Sequence, residues 1–146
     1  AQRRDLAAIG YAKGVPMGGD LLRQRGRKAP RFMVAATRDP DGANLDRIQI
    51  IKGWAKHGQS FEKIYNVAWS GVRSVDPKTG RLPSVGNTVN VAEATYSNSI
   101  GAPTLTASWT DPSFDAKQKA FYYVRVLEIP TPRWTTYDAE LILQSM

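Results

Sequence analysis

The side chains best suited to chemistry in this sequence are four oxygen-bearing residues within one short segment. Their spacing partly matches a calcium-binding loop, with Gly42 where the chain must bend. The segment lacks the bidentate Glu that closes such a loop, and Pro40 breaks its register. The run Asp-Pro-Asp-Gly is also what an ordinary turn prefers. We therefore interpret the segment as a turn and keep a calcium-like site as the alternative, with the ligands Asp39, Asp41, Asn44 and Asp46.

Catalytic residues of the usual kinds are scarce. His57 is the only histidine and there is no cysteine, whereas transition-metal and nucleophile sites normally combine several such groups. The sequence contains neither a nucleophile-elbow motif nor a glycine-rich phosphate loop ending in Lys. We predict that this chain carries no catalytic residues, no metal and no cofactor, and that alone it hydrolyses no ester with added divalent metal.

A basic cluster precedes the first strand. The first 31 residues hold eight Lys or Arg against two Asp, while the remainder is nearly neutral. No aromatic residue interleaves the cluster, as stacking on bases would require. We predict weak binding to anionic polymers without sequence preference, largely lost by about 0.2 M salt. The candidate anion-binding residues are Arg23, Arg25, Arg27 and Lys28.

A second cluster follows the last apolar segment and combines Trp, Tyr and Arg, the residue types that dominate interface hot spots. We favour an anchor for a neighbouring domain, then a cap on the sheet edge, then contact with a ligand. The cluster consists of Arg133, Trp134, Tyr137 and Asp138.

These candidates need a scaffold, and the segment 120–134 is the most prominent part of it. Side chains alternate between the faces of a strand, and both faces are largely apolar here up to Pro130. This pattern predicts a central strand covered on both sides. Tyr123→Ala and Val124→Asp are then expected to be severely destabilising, by roughly 3–5 kcal/mol for the cavity.

The patterns of other segments also predict strands, separated by turn residues. The first two are expected to pair as an antiparallel hairpin, and Ser70 to Gly86 is expected to be a long surface loop. The predicted fold is mainly all-β, an antiparallel, immunoglobulin-like sandwich over residues 31–146 with long loops and short helical turns, after a lead-in at 1–30. No apolar run is long enough to span a membrane. The additional strands are predicted at Arg31–Thr37, Leu45–Trp54, Phe61–Trp69 and Leu105–Trp109.

Several blocks resemble one family, the bacterial domain-of-unknown-function family numbered thirty-six-oh-four. They are residues 12–21, 39–54, 67–71 and 120–139, in the family's order. The resemblance is to the carboxyl-terminal part of much longer proteins. A start without Met suggests either a processed product or an excised piece of something longer. Their amino-terminal part resembles a metallohydrolase domain of the polymerase-and-histidinol-phosphatase type, whose divalent-metal ligands are absent here. The basic cluster and the tail after Ala139, where relatives continue into an aromatic strand, depart from the family.

The resemblance implies a non-catalytic β-sandwich module that packs against the catalytic domain of an exported or periplasmic parent protein. The rival hypothesis is an independent carbohydrate- or anion-binding module. Burial of Trp54, Trp69 and Trp109 would favour the packing module, and an exposed aromatic platform would favour the rival. Neither the substrate of the parent nor the oligomeric state follows from the sequence.

Overall fold

The computed structural model describes residues 6–22 and 28–144. Within these residues the chain forms a mainly β structure with two short helices. The elements, in chain order, are α1 (Leu6–Lys13), β1 (Arg31–Thr37), β2 (Leu45–Lys56), β3 (Gln59–Trp69), β4 (Thr104–Thr110), β5 (Ala120–Glu128) and α2 (Trp134–Gln144).

The strands form two antiparallel sheets. One has three strands in the order β3-β2-β5, and the other pairs β1 with β4. A two-residue turn joins β2 to β3, with positive φ at His57 (51°) and Gly58 (75°), as the tightest hairpins require. The mainly β, sandwich-like prediction is confirmed, and the segment from Ser70 to Gly86 is a loop without regular structure.

The expected hairpin between the first two strands is wrong. β1 instead pairs with β4 along its whole length, from Arg31 opposite Thr110 to Thr37 opposite Thr104. The reason lies in the connection that follows β1. The backbone N–H of Asn44 donates to Asn98 Oδ1 at 2.7 Å, and its side-chain amide donates to the carbonyls of Asn98 and Ile100. This anchor starts β2 in the other sheet.

The core lies between the two sheets. One side of β2 carries Ile48 and Ile50, which are 0% and 1% exposed. Leu105 of β4 packs against Ile48 from the facing sheet, and Val124 of β5 packs against the same cluster. We call this side of the three-stranded sheet the inner face.

The central-strand assignment of 120–134 is also wrong. β2 occupies the centre of its sheet, and β5 ends at Glu128 and lies at an edge. Val124 faces the core, but Phe121 and Tyr123 are 62% and 43% exposed. Both sides of β5 are therefore largely apolar in sequence, but the described residues cover only its inner side.

The remaining segments lie outside the sheets. Val89 and Val91 begin no strand, and the nearest pairing is an isolated bridge between Asn90 and Thr95. The residues from Ala8 to Leu22 are exposed throughout. Within residues 6–22 and 28–144, neither helix has the length and apolar character required to cross a membrane.

Candidate functional site

The face of the three-stranded sheet opposite the core is the principal candidate site, and we call it the outer face. Strand registers place its residues in three rows that cross β3, β2 and β5. The middle row is apolar and the first is polar. The rows are Asn66, Gln49 and Arg125; Ile64, Ile51 and Tyr123; and Glu62, Gly53 and Phe121.

The apolar part of the outer face is only half covered. Ile51 is fully buried in the middle of the face, whereas its row neighbours Ile64 and Tyr123 are each 43% exposed. Phe121 stacks beside Tyr123 with ring centroids 6.4 Å apart. Its ring lies across Gly53, where a Cβ would overlap it. Three large apolar side chains thus form one exposed patch on a regular sheet.

A groove of about 630 Å³ lies at the end of the sheet beside the β2–β3 turn. Its lining includes Phe121 of the outer face and a second aromatic pair, Trp54 and Phe61, whose rings stack at 5.6 Å and whose register places them on the opposite side of the sheet. Glu62 and Lys119 supply charged groups at the groove. The groove therefore combines aromatic surface with hydrogen-bonding side chains.

The polar row at the other end is a continuous hydrogen-bonded chain. Arg125 donates to Gln49 Oε1 at 2.7 and 3.0 Å, and Gln49 Nε2 donates to Asn66 Oδ1 at 2.9 Å. Asn66 Nδ2 continues to the carbonyl of Gly80 at 3.2 Å. This row ties all three strands of the sheet to the long loop. The row holds the Arg125 guanidinium in place, but it contains no carboxylate that would neutralise the charge.

The inner face holds a buried ionic centre. Lys52 Nζ lies 2.6 Å from Asp111 Oδ2, and both side chains are almost fully buried. The Lys52 ammonium also donates to the carbonyl of Ser113 at 2.7 Å, and the Tyr122 hydroxyl donates to Asp111 at 2.7 Å. Lys52 and Asp111 are thus paired with each other and with neighbouring groups, and this centre joins the two sheets.

Protonation in this centre follows from its contacts. Burial alone raises the pKa of the Asp111 carboxyl, but hydrogen bonds from Lys52, Tyr122 and the Ser113 amide outweigh it and hold that pKa below its usual range. Burial, and then the hydrogen bond to Asp111, raise the pKa of Tyr122 well above its ordinary value. Asp111 is therefore a carboxylate and Tyr122 a neutral donor at neutral pH.

Two inner-face tyrosines differ in a way that mutation can test. The Tyr65 hydroxyl is buried without a hydrogen-bond partner in the described part of the chain, whereas that of Tyr122 binds Asp111. Tyr65→Phe should leave the free energy of unfolding unchanged or raise it by up to about 1 kcal/mol. Tyr122→Phe should lower it by about 1.5–3 kcal/mol, because a hydrogen bond to a charged group is lost. Urea unfolding measures both, and equal losses would contradict the assignment.

The acidic segment proposed as a turn or a calcium-like site has separate structural roles. Asp39 Oδ1 accepts the backbone N–H of Asp41 at 2.9 Å, closing a local turn. Asn44 is buried and used as the anchor described above. Asp46 is buried and accepts both Arg47 Nε at 2.8 Å and Arg73 Nη2 at 2.7 Å.

The structure does not bring the acidic segment together around a common point. Across residues 6–22 and 28–144, no group of three or more His, Cys, Asp or Glu side chains is placed to hold a metal ion. The paired carboxylate of Asp46 instead fixes Arg73, which also donates to the carbonyl of Pro83 at 2.8 Å. This contact holds the long loop against the start of β2.

The remaining sequence candidates are the basic cluster and His57. Arg23, Arg25 and Arg27 lie outside the described residues, and Lys28 is exposed. His57 is exposed in the β2–β3 turn.

The predicted anchor cluster forms the start of α2. Arg133 precedes the helix, which begins at Trp134. Trp134 is 74% exposed, Tyr137 39% and Leu141 63%, and residues three and seven positions apart share one face of a helix. Asp138 is exposed beside them. α2 therefore presents an apolar stripe made of Trp134, Tyr137 and Leu141.

Sequence reasoning missed the ionic centre and the exposed side of β5. Lys52 directly after the apolar pair Ile50 and Ile51 was the available signal for a buried pair, since Lys is almost never buried alone. Its partner Asp111 is 59 positions away, and local spacing cannot connect them.

The fold and the site define a class of protein, a two-layer, mainly β module in which an apolar patch of one sheet face and one apolar helix stripe are left uncovered by the residues that the structure describes. The chain belongs to the family described as "Protein of unknown function (DUF3604)", whose model matches residues 1–145. No curated protein and no solved structure matches the chain significantly.

Proposed function

We propose that this chain is a non-catalytic module that docks through its outer face onto the catalytic domain of a larger, metal-dependent hydrolase-like protein. The observation that carries the proposal is the exposed apolar patch of Phe121, Tyr123 and Ile64 on a regular sheet. Contiguous apolar surface of this kind is characteristic of interfaces. The resemblance to the carboxyl-terminal part of longer proteins supports a catalytic domain as the occupant.

The stripe on α2 supports the same role. Trp134 and Tyr137 belong to the residue types that contribute most to interface energy. Because Trp134 is 74% exposed, packing within the described chain does not account for it. We assign the stripe as a second anchor on the catalytic domain.

The charges of the outer face specify the chemistry of the partner. Arg125 forms no ion pair within the described residues and has only the neutral Gln49 as its side-chain partner. A partner that presents an acidic group beside an apolar surface would pair this guanidinium at the rim of the interface. We therefore expect an apolar partner surface with acidic residues at its edge.

A charge in the patch tests the docking. In a full-length protein that carries this module, Tyr123→Asp should reduce metal-dependent hydrolysis at least about tenfold, since an interface hot spot contributes about 2 kcal/mol or more. The isolated chain should hydrolyse no substrate, whether position 123 is Tyr or Asp. The matched control is Met33→Asp, because Met33 is 54% exposed on a strand of the other sheet. Full activity in Tyr123→Asp, or an equal loss in Met33→Asp, would refute docking through the outer face.

The groove near the β2–β3 turn favours a second candidate function, the carbohydrate-binding module. Trp54, Phe61 and Phe121 line it together with Glu62, and aromatic surface beside hydrogen-bonding groups suits a sugar ring. Trp54, Trp69 and Trp109 are each half-buried, so they form neither a closed core nor an open platform. A saturable change in Trp fluorescence on adding oligosaccharides, absent in Phe121→Ala, would favour this candidate over docking.

A further inference from the structure

A second groove, of about 610 Å³, lies between the outer face and the long loop. Its lining combines part of the sheet (Gln49, Ile64, Asn66) with the loop segment 77–82. Its volume falls within the roughly 300–1,000 Å³ typical of small-molecule sites.

The loop that walls this groove is held in one conformation. The Gly80 N–H donates to the Asp76 carbonyl at 2.8 Å, and the Asp76 N–H donates to the Arg81 carbonyl at 2.9 Å. Asn66 of β3 holds Gly80 from the sheet side. A preformed wall lowers the entropic cost of binding a ligand.

The charge of the groove has one sign. Four basic residues and no carboxylate line it: Arg47, Lys63, Lys78 and Arg81. Two of the four present no free charge to it, since Arg47 pairs with Asp46 and the Lys63 ammonium lies on the inner face, over the Tyr65 ring at 5.0 Å from its centroid. Lys78 and Arg81 take part in no ion pair within the part of the chain that the structure describes.

The nearest acidic residue of the loop does not neutralise these cations. Asp76 Oδ1 accepts the backbone N–H groups of Lys78 at 2.7 Å and Thr79 at 3.1 Å. These hydrogen bonds, that from Thr79 foremost, hold the pKa of Asp76 below its usual value. The carboxylate therefore shapes the turn, and the two cationic side chains on the turn keep their charge available.

We propose that this groove binds a small molecule carrying a phosphate or sulfate ester, with Arg81 and Lys78 contacting the oxyanion. Arg offers a planar pair of donors that matches such oxyanions, and Lys adds a point charge. Ile64, Pro77 and Leu82 supply apolar wall for the organic part of the ligand. These residues are distinct from the basic cluster at 23–28.

Anion binding in this groove is a function beyond docking, and an experiment can refute either one without refuting the other. Ile64 belongs to both surfaces, but the two cations lie on the loop and not on the exposed patch. Loss of docking in Tyr123→Asp therefore leaves the groove intact, and loss of anion binding in Arg81→Gln leaves the patch intact.

Titration of the full chain with inorganic phosphate and with sulfate, followed by amide NMR, tests the proposal. Saturable shifts should concentrate at residues 77–82, and chloride at equal ionic strength should not produce them. The relative affinities for the two anions identify which ester the groove prefers.

Matched variants complete the test. Arg81→Gln should weaken phosphate and sulfate binding at least tenfold, with an unchanged melting temperature because Arg81 is exposed. Lys117→Gln removes an exposed lysine from a different loop and should leave the affinity unchanged. Shifts that chloride reproduces, or equal effects of the two variants, would overturn the proposal and indicate screening of surface charge alone.

Discussion

Replacing Lys52 by methionine is expected to lower the free energy of unfolding by about 3–5 kcal/mol. The ammonium of Lys52 is the buried cation beside Asp111, and the two side chains are 3% and 0% exposed. Methionine fills a similar volume, so little of the loss comes from a cavity. It arises because the Asp111 carboxylate remains buried without its charged partner, and desolvation of an unpaired charge is costly. Denaturant unfolding of the two proteins measures the difference.

Lys63→Met is the matched control, since Lys63 lies opposite Lys52 in the adjacent strand and is exposed. Its cost should stay below about 1 kcal/mol, as for other exposed charges. Combining Lys52→Met with Asp111→Leu should recover much of the stability, because the unpaired charge is then gone. A Lys52→Met protein as stable as the Lys63→Met control would show that the buried pair does not join the sheets.

The same centre makes stability depend on pH. The pKa of Asp111 is lower in the folded chain than its usual value, so its stabilisation is present above that usual value and is lost as pH falls through the folded pKa. Asp111→Asn should remove this part of the acid dependence. If the stability of Asp111→Asn still falls at low pH as it does in the parent chain, Asp111 is not the source of this pH dependence.

Replacing Ile50 by alanine is expected to cost about 2–5 kcal/mol, the range for truncating a buried Ile or Leu. Ile50 lies at the centre of β2 with Tyr65 and Val124 opposite it, and it is 1% exposed. The neighbouring elements are hydrogen-bonded strands, which limits collapse around the cavity.

The stability loss of Ile50→Ala should be compared with that of Tyr123→Ala. The sequence pattern placed Tyr123 in a central strand and predicted a loss of roughly 3–5 kcal/mol. The structure places the residue on the outer face of an edge strand, 43% exposed, so the cost should be well below that of Ile50→Ala. If Tyr123→Ala proves as damaging as Ile50→Ala in urea unfolding, the assignment of β5 to an edge is incorrect.

Local features of the fold could be predicted from the sequence, and long-range pairing could not. Alternation and turn residues located β1 at Arg31–Thr37 with its observed bounds, because these signals act over a few residues. The partner of β1 is decided by the anchor of Asn44 on residues 98–100. That contact spans 54 positions, and an Asn before a strand is an equally good turn residue.

In the candidate site, too, the local features could be predicted from the sequence and the long-range contacts could not. Apolar residues on both sides of β5 correctly indicated a strand. Which face this chain covers depends on its place at the sheet edge, and only the registers with β2 reveal it. The acidic segment is not gathered around one point in this structure, because Asn44 and Asp46 take distant partners, namely residues 98–100 and Arg73.

Hydroxyl-radical footprinting of the isolated chain and of a full-length protein that also carries the proposed catalytic domain tests docking through the outer face most directly. The reaction reports how accessible each side chain is to solvent. Oxidation of Phe121, Tyr123 and Trp134, which are 62%, 43% and 74% exposed here, should fall severalfold in the full-length protein. Met33, 54% exposed on the other sheet, should react equally in both. Undiminished oxidation of all three aromatic residues would contradict the account, as would equal protection of Met33.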